Sequence, residues 1–171
     1  MADDAAEAFR RALGARADTV HLVTYRTQEG DVEGMTATAV MSLSLTPPSL
    51  LVSISHQARA HDAIRERGAF GVSVLRQEHS AIAHGAGRAG GNKSFGGALT
   101  VEEDPARTPV LAGALATFQC HVRETHDHFT HTLFVAEVLD ARTSGDGEPL
   151  LHHHGGYVTV AAIAPPRAKP P

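Results

Sequence analysis

Cysteine is nearly absent: Cys120 is the only one in 171 residues. An intrachain disulfide is therefore excluded, and a reducing cytoplasm is the expected setting. No apolar run approaches the roughly 18 residues of a membrane-spanning helix, so no membrane association is expected. The opening residues Met1-Ala2-Asp3-Asp4 are acidic and lack the apolar core of an export signal. Basic residues are in deficit, with 15 Lys and Arg against 19 Asp and Glu and a formal net charge of −4. Such a balance gives no global attraction to nucleic acid. No nucleophile–base triad is evident, and the glycine-dense loop 85–97 lacks the Lys-Ser/Thr spacing of a phosphate-binding P-loop.

What remains is an ordinary globular composition, 42% hydrophobic and 20% charged. The length suits one domain, 1–164, followed by a loose proline-rich tail, 165–171. Residues 4–17 read as a helix, capped by Asp3 or Asp4, with Ala5, Ala8, Phe9, Ala12 and Leu13 on one face. Strands are expected over 19–25, 34–43, 50–55, 70–75, 115–122, 130–141 and 157–162. Short helices are expected over 60–67, ended by Gly68, and over 78–84. Pro47-Pro48 cannot sit inside a central strand and so mark a connection. Strands outnumber helices at short spacing. The expected fold class is therefore mainly β (α+β), an antiparallel barrel with a few flanking helices.

The stretch 34–48 alternates small hydroxyl residues with small apolar ones, and a second apolar strand, 49–55, follows. Thr36, Ala37, Thr38, Ala39, Val40 and Ser42, with Ser53, Ile54 and Ser55, offer little bulk and many hydrogen-bonding groups. A flat polar ring system can lie on such a surface. Gln57, Ala58, Arg59, Ala60 and His61 join this strand to a helix. A helix N-terminus with an arginine suits an anion. The bland alternatives are a core strand pair and a solvated arginine.

Twelve histidines raise the question of a metal. His126-x-His128 places two imidazoles on one strand face, while His131 falls on the other face if the strand continues unbroken. His152-His153-His154 is internal. A cupin would need a nearby glutamate and a distant histidine, and neither spacing is found, so no metal site is assigned.

Several motifs recur in one order. They are Gly34-x-Thr36-Ala37 with Ser42-x-Ser44-x-x-Pro47-Pro48, then Gly68-Ala69-Phe70-Gly71-Val72-Ser73-Val74-Leu75, then Lys93-Ser94-Phe95-Gly96. His131-Thr132-Leu133-Phe134-Val135-Ala136-Glu137-Val138 follows, and Pro149-Leu150-Leu151 to Gly155-Gly156-Tyr157 closes the set. Together, over about residues 8–162, they resemble the short-chain flavin reductases. The resemblance implies an FMN-binding split β-barrel of antiparallel Greek-key type, working as a homodimer. It implies hydride transfer from NADH or NADPH to FMN or FAD, with reduced flavin passed to a partner monooxygenase.

The same resemblance implies that the flavin lies along Thr36 to Val40, Ser42, Ser53 to Ser55 and the Gln57–His61 turn. Arg59 and backbone amides would hold its phosphate, because Ala58 and Ala60 stand where hydroxyl residues are common. Lys93 and Phe95 match positions near the phosphate and the ring edge, with Ser94 inserted between them. His131 matches the catalytic histidine beside the nicotinamide, although Thr130 replaces the acid that usually precedes it. His153, His154, Gly155 and Gly156 would form the nicotinamide side. The alternatives are a flavoprotein of this fold that retains its flavin, a non-catalytic flavin-binding module and a metal-binding cupin-like barrel.

Overall fold

The computed structural model describes residues 2–88, 99–100, 107–144 and 146–161. Helix α1 (Ala2–Gly14) leads into β1 (Asp18–Thr19) and β2 (His21–Arg26); β3 (Val32–Ala37), β4 (Val40–Leu45) and β5 (Pro48–Ser55) follow. Next come α2 (Arg59–Arg67), β6 (Ala69–Val74), α3 (Ser80–Gly87), β7 (Leu99–Thr100) and β8 (Val110–Leu111). The chain ends in β9 (Ala116–His128), β10 (His131–Thr143), β11 (Leu151–His153) and β12 (Gly156–Val158).

Seven strands form one antiparallel sheet in the order β3-β2-β6-β9-β10-β5-β4. The two edge strands, β3 and β4, are consecutive in the chain. A flat sheet of this width would hold its edges about 29 Å apart, six spacings of about 4.8 Å. Three Cα steps bridge only about 11 Å. The sheet must therefore curl until its edges meet, which makes a barrel. The expected single strand 34–43 is this closure: its first half pairs with β2, its second with β5, and it breaks at Thr38-Ala39. The bend is held by Ser53 N–H donating to the Ala39 carbonyl at 3.1 Å.

The expected strand 19–25 is likewise divided at Val20. Thr19 pairs with β11, while β2 pairs with β3 and β6. Strand β9 runs well past the expected 115–122, because its residues 123–128 are largely exposed and carry no apolar alternation. The last strand is shorter than 157–162. Pro48 opens β5 opposite Leu45 of the edge strand β4, where a missing N–H is tolerated. Gly68 ends α2 at φ 69°, as its left-handed C-cap.

The barrel interior is filled by Val23, Val52, Ile54, Phe70, Val72 and Phe134, and Ile64 of α2 packs into the same core. Alternation on β2 sends Leu22 to a second core outside the sheet, with Leu75, Leu111, Leu150, Ala83 and Ala86. Helix α3 thereby lies over the outer face with its C-terminus beside β3. The apolar stripe of α1 finds no such cover: Phe9 is 65% exposed. No helix of the described residues is long and apolar enough to cross a membrane.

Candidate functional site

Two clefts meet between β3 and the end of α3. The first, about 530 Å³, is lined by Tyr25, Met35, Thr36, the turn residues Gln57, Ala58, Arg59 and Ala60, and Ala86, Gly87 and Arg88. The second, about 440 Å³, is lined by Thr36, His84, Gly87, Arg88, His152, Gly155, Gly156 and Tyr157. Both volumes lie in the range of small-molecule sites. They share Thr36, Gly87 and Arg88. A Cβ on Gly87 would stand 3.0 Å from Thr36 Oγ1 and 3.9 Å from the Tyr157 hydroxyl. Glycine here keeps the junction open.

Electrostatics differ between the two. At the first cleft no side chain caps α2: Ala58 is its N-cap. The first-turn N–H groups and the partial positive charge of the helix therefore favour an anion. Arg59 adds a full charge and is engaged by Glu33, with Nη1 3.2 Å from Oε1. The other Glu33 oxygen accepts the Tyr25 hydroxyl proton at 2.8 Å. Burial, the bond to Glu33 and the Glu33 charge push the Tyr25 phenol well above its ordinary range, so it stays a donor. In the second cleft Tyr157 stacks edge-on with His84 at 4.8 Å and with His152 at 6.1 Å. This gives a wall of aromatic and imidazole rings, with Arg88 beside them and no carboxylate among the lining residues.

Of the expected site residues, Thr36, Gln57, Ala58, Arg59 and Ala60 come together in the first cleft, and Gly155 and Gly156 in the second. Ala37 is buried beside Thr36, while Thr38 and Ala39 are exposed at the barrel bend. Val40 and Ser42 line a separate apolar groove of about 480 Å³, with Met41, Leu45, Phe118 and Val138. Ser53 and Ser55 are half-buried on β5, and Ile54 is a core residue. His61 turns inward, 6% exposed, onto Thr132 of β10. Lys93 and Phe95 lie outside the described residues.

His131 opens β10, exposed, opposite Ser55 of β5 and His128 of β9. The chain reverses at Phe129 and Thr130, so the unbroken strand on which His131 would face away from His128 does not form. Directly opposed residues of an antiparallel pair share a face. Among the described residues His131 lines neither cleft, and its Nδ1 lies 2.9 Å from the Thr130 hydroxyl. His153 and His154 sit towards α1: His153 Nδ1 is 3.2 Å from the Arg16 carbonyl, and His154 N–H donates to the Gly14 carbonyl at 2.8 Å. Their neighbour His152 takes the cleft position instead, because side chains alternate along β11. Sequence reading also missed Tyr25, His84, Gly87 and Arg88. Only Tyr157 carried a signal, as the last residue of the final motif.

Comparison with known proteins agrees with this architecture. The profile of the flavin reductase like domain matches residues 13–161. An NADH-dependent flavin reductase of Rhodococcus sp is 37% identical, over 91% of this chain and 86% of its own. The reductase component of a 4-nitrophenol 4-monooxygenase/4-nitrocatechol 2-monooxygenase of Rhodococcus opacus is 35% identical, over 87% and 78%. Among solved structures, the flavin reductase PheA2 in its native state superposes with a TM-score of 0.81 and 31% identity, covering 91% of this chain and 98% of that one. With the barrel, the paired clefts and a profile match over most of its length, the chain belongs to the family of flavin reductase like domains.

Proposed function

We propose that this protein is an NADH-dependent flavin reductase that passes reduced FMN or FAD to a partner monooxygenase. The observation that carries the reading is the meeting of two ligand-sized clefts at Thr36 and Gly87, one ending at the uncapped α2 N-terminus and Arg59. The first suits a flavin: the missing Gly87 side chain leaves room for a flat ring, and Arg59 with the α2 amides suits its phosphate. The second, with aromatic and glycine walls, suits a nicotinamide close to that ring. When bound, the flavin supplies the acceptor for the hydride that NADH donates. The protein's part is alignment: Thr36 and Gly87 set the common wall, Arg59 fixes the phosphate end, and Tyr157 between His84 and His152 walls the nicotinamide side. His131 lines neither cleft, and its part on the nicotinamide side rests on the family resemblance alone.

The relatives named above support NADH as donor, and the nitrophenol monooxygenase reductase supports the partner class. The test is NADH oxidation with and without added FMN or FAD, followed by transfer of reduced flavin to a flavin-dependent monooxygenase. Absence of flavin-stimulated oxidation would overturn the reading.

The working unit in this proposal is a homodimer in the cytoplasm. Strand β4 exposes Met41, Leu43 and Leu45, the last at 87%, and Met41 and Leu45 line the groove along β4 and β5. A contiguous apolar surface of this kind is buried in a stable soluble protein, and a second copy offers the matching face. Sedimentation of wild type and Leu45→Asp should show dimer and monomer respectively. An active wild-type monomer at micromolar concentration would refute this assembly.

A further inference from the structure

Outside the two clefts, three elements converge on one buried hydroxyl. His56 comes from the turn after β5, His61 from the first turns of α2 and Asp127 from the end of β9. A ligand atom of each lies within 4.8 Å of the others. Thr132 Oγ1, fully buried, sits among them: 2.8 Å from His61 Nε2, 3.2 Å from His56 Nε2 and 2.6 Å from Asp127 Oδ1.

His61 Nδ1 lies 2.6 Å from Asp62 Oδ1, which leaves its Nε2 directed at the cluster. Asp127 Oδ1 accepts the Thr132 hydroxyl proton at 2.6 Å. Two imidazole nitrogens and a carboxylate oxygen from three separate elements thus gather around one buried hydroxyl, a donor set that suits a transition-metal ion. The Asp62–His61 contact is also the carboxylate–imidazole pairing that orients metal-binding histidines. Arg65 grips Asp127 through both carboxylate oxygens at 3.1 Å, and Asp127 Oδ2 can stay with Arg65 while Oδ1 turns to an ion. His56 and Asp127 are 38% and 51% exposed at their side chains, which gives an ion a path in.

We propose that His56, His61 and Asp127 bind one divalent transition-metal ion of the zinc class, with Thr132 or water as a further ligand. Two imidazole nitrogens and one carboxylate suit zinc, cobalt or nickel, and not calcium or magnesium, which demand an oxygen cage. The ion would tie the start of α2 and the end of β5 to the hairpin that carries His131. The proposal is independent of the flavin reading.

The test uses the full chain without an affinity tag, stripped with a chelator and titrated with Co²⁺, then Zn²⁺. Expected are one Co²⁺ per chain, visible d–d absorption of a low-coordinate site, and displacement by Zn²⁺. His56→Ala and Asp127→Asn should each weaken binding by at least about tenfold, comparable with or above the loss of a supporting group. Both positions are exposed enough to preserve folding, which circular dichroism checks. His126→Ala/His128→Ala and His152→Ala should leave binding unchanged. No stoichiometric Co²⁺ binding, or binding that survives His56→Ala and disappears in either control variant, would overturn the proposal.

Discussion

Arg59 at the start of α2 reaches across to Glu33 of β3, its guanidinium 3.2 Å from the carboxylate. The pair links the proposed anion end of the first cleft to the barrel wall. Its arginine is 60% exposed at the side chain, so the ion pair itself adds little to stability. Its interest lies in competition: Glu33 and an incoming phosphate compete for one guanidinium.

Two variants separate these roles. Arg59→Ala should weaken FMN binding by about five- to tenfold, within the worth of an exposed charge-assisted contact, and leave riboflavin binding unchanged. Glu33→Gln should tighten FMN by a few-fold, again without effect on riboflavin. Fluorescence titration with both flavins reads this directly. Equal changes for FMN and riboflavin would mean that the pair acts through folding.

Gly87 offers a second test. Alanine in mid-helix gains about 0.5–1 kcal/mol over glycine, and Gly87, as the last residue of α3, would gain only part of that. Its methyl would also press on Thr36 Oγ1 at 3.0 Å, where the clefts join. Gly87→Ala should therefore keep or raise the melting temperature while raising the dissociation constant for FMN. An unchanged dissociation constant would show that the ligand does not pass over this junction.

The fold was largely readable because its strands carry apolar alternation and its turns carry proline or glycine. Phe70 and Val72 alternate cleanly on β6, and Gly68 stops α2 as its position suggests. What was not readable depends on pairing over long distance. Nothing local in 34–43 says that one half belongs to each edge of the sheet. For the site, the turn 57–60 was visible because its chemistry is contiguous. His84, Gly87 and Arg88 were not, since only the packing of α3 over the outer core brings them to Thr36. The facing of His131 hung on an unbroken strand, and a two-residue reversal after His128 resets the parity.

Asp127 makes stability depend on pH in the acid range. The Thr132 hydroxyl and then Arg65 hold its carboxyl below the ordinary 3.8, at about 2. The folded state therefore binds this proton less readily than the unfolded chain. The resulting stabilisation is complete above the ordinary value and is lost as pH falls from there through about 2. Denaturant melts of wild type and Asp127→Asn should differ at neutral pH and converge towards pH 2. A constant difference across that window would assign the effect to packing.

His131 provides the last test, and it bears on the hydride step. The residue is exposed at the head of β10, its ring held by the neighbouring Thr130 hydroxyl at 2.9 Å. It packs into no core, so its removal should leave the barrel intact. The family resemblance puts it beside the nicotinamide, and a residue in that role adds little to the hold on the flavin. His131→Ala should then slow reduction of the bound flavin by NADH by about tenfold or more, a modest share of what a positioned polar group contributes. The flavin dissociation constant should change less than about twofold, well under 1 kcal/mol. Anaerobic stopped-flow mixing of the flavin-loaded variant with NADH separates these quantities, because flavin absorbance reports reduction alone. A parallel loss of flavin affinity would move His131 to the flavin side of the site. An unchanged reduction rate would leave it as a strand residue of the β9–β10 hairpin, with alignment resting on Thr36, Gly87 and Tyr157.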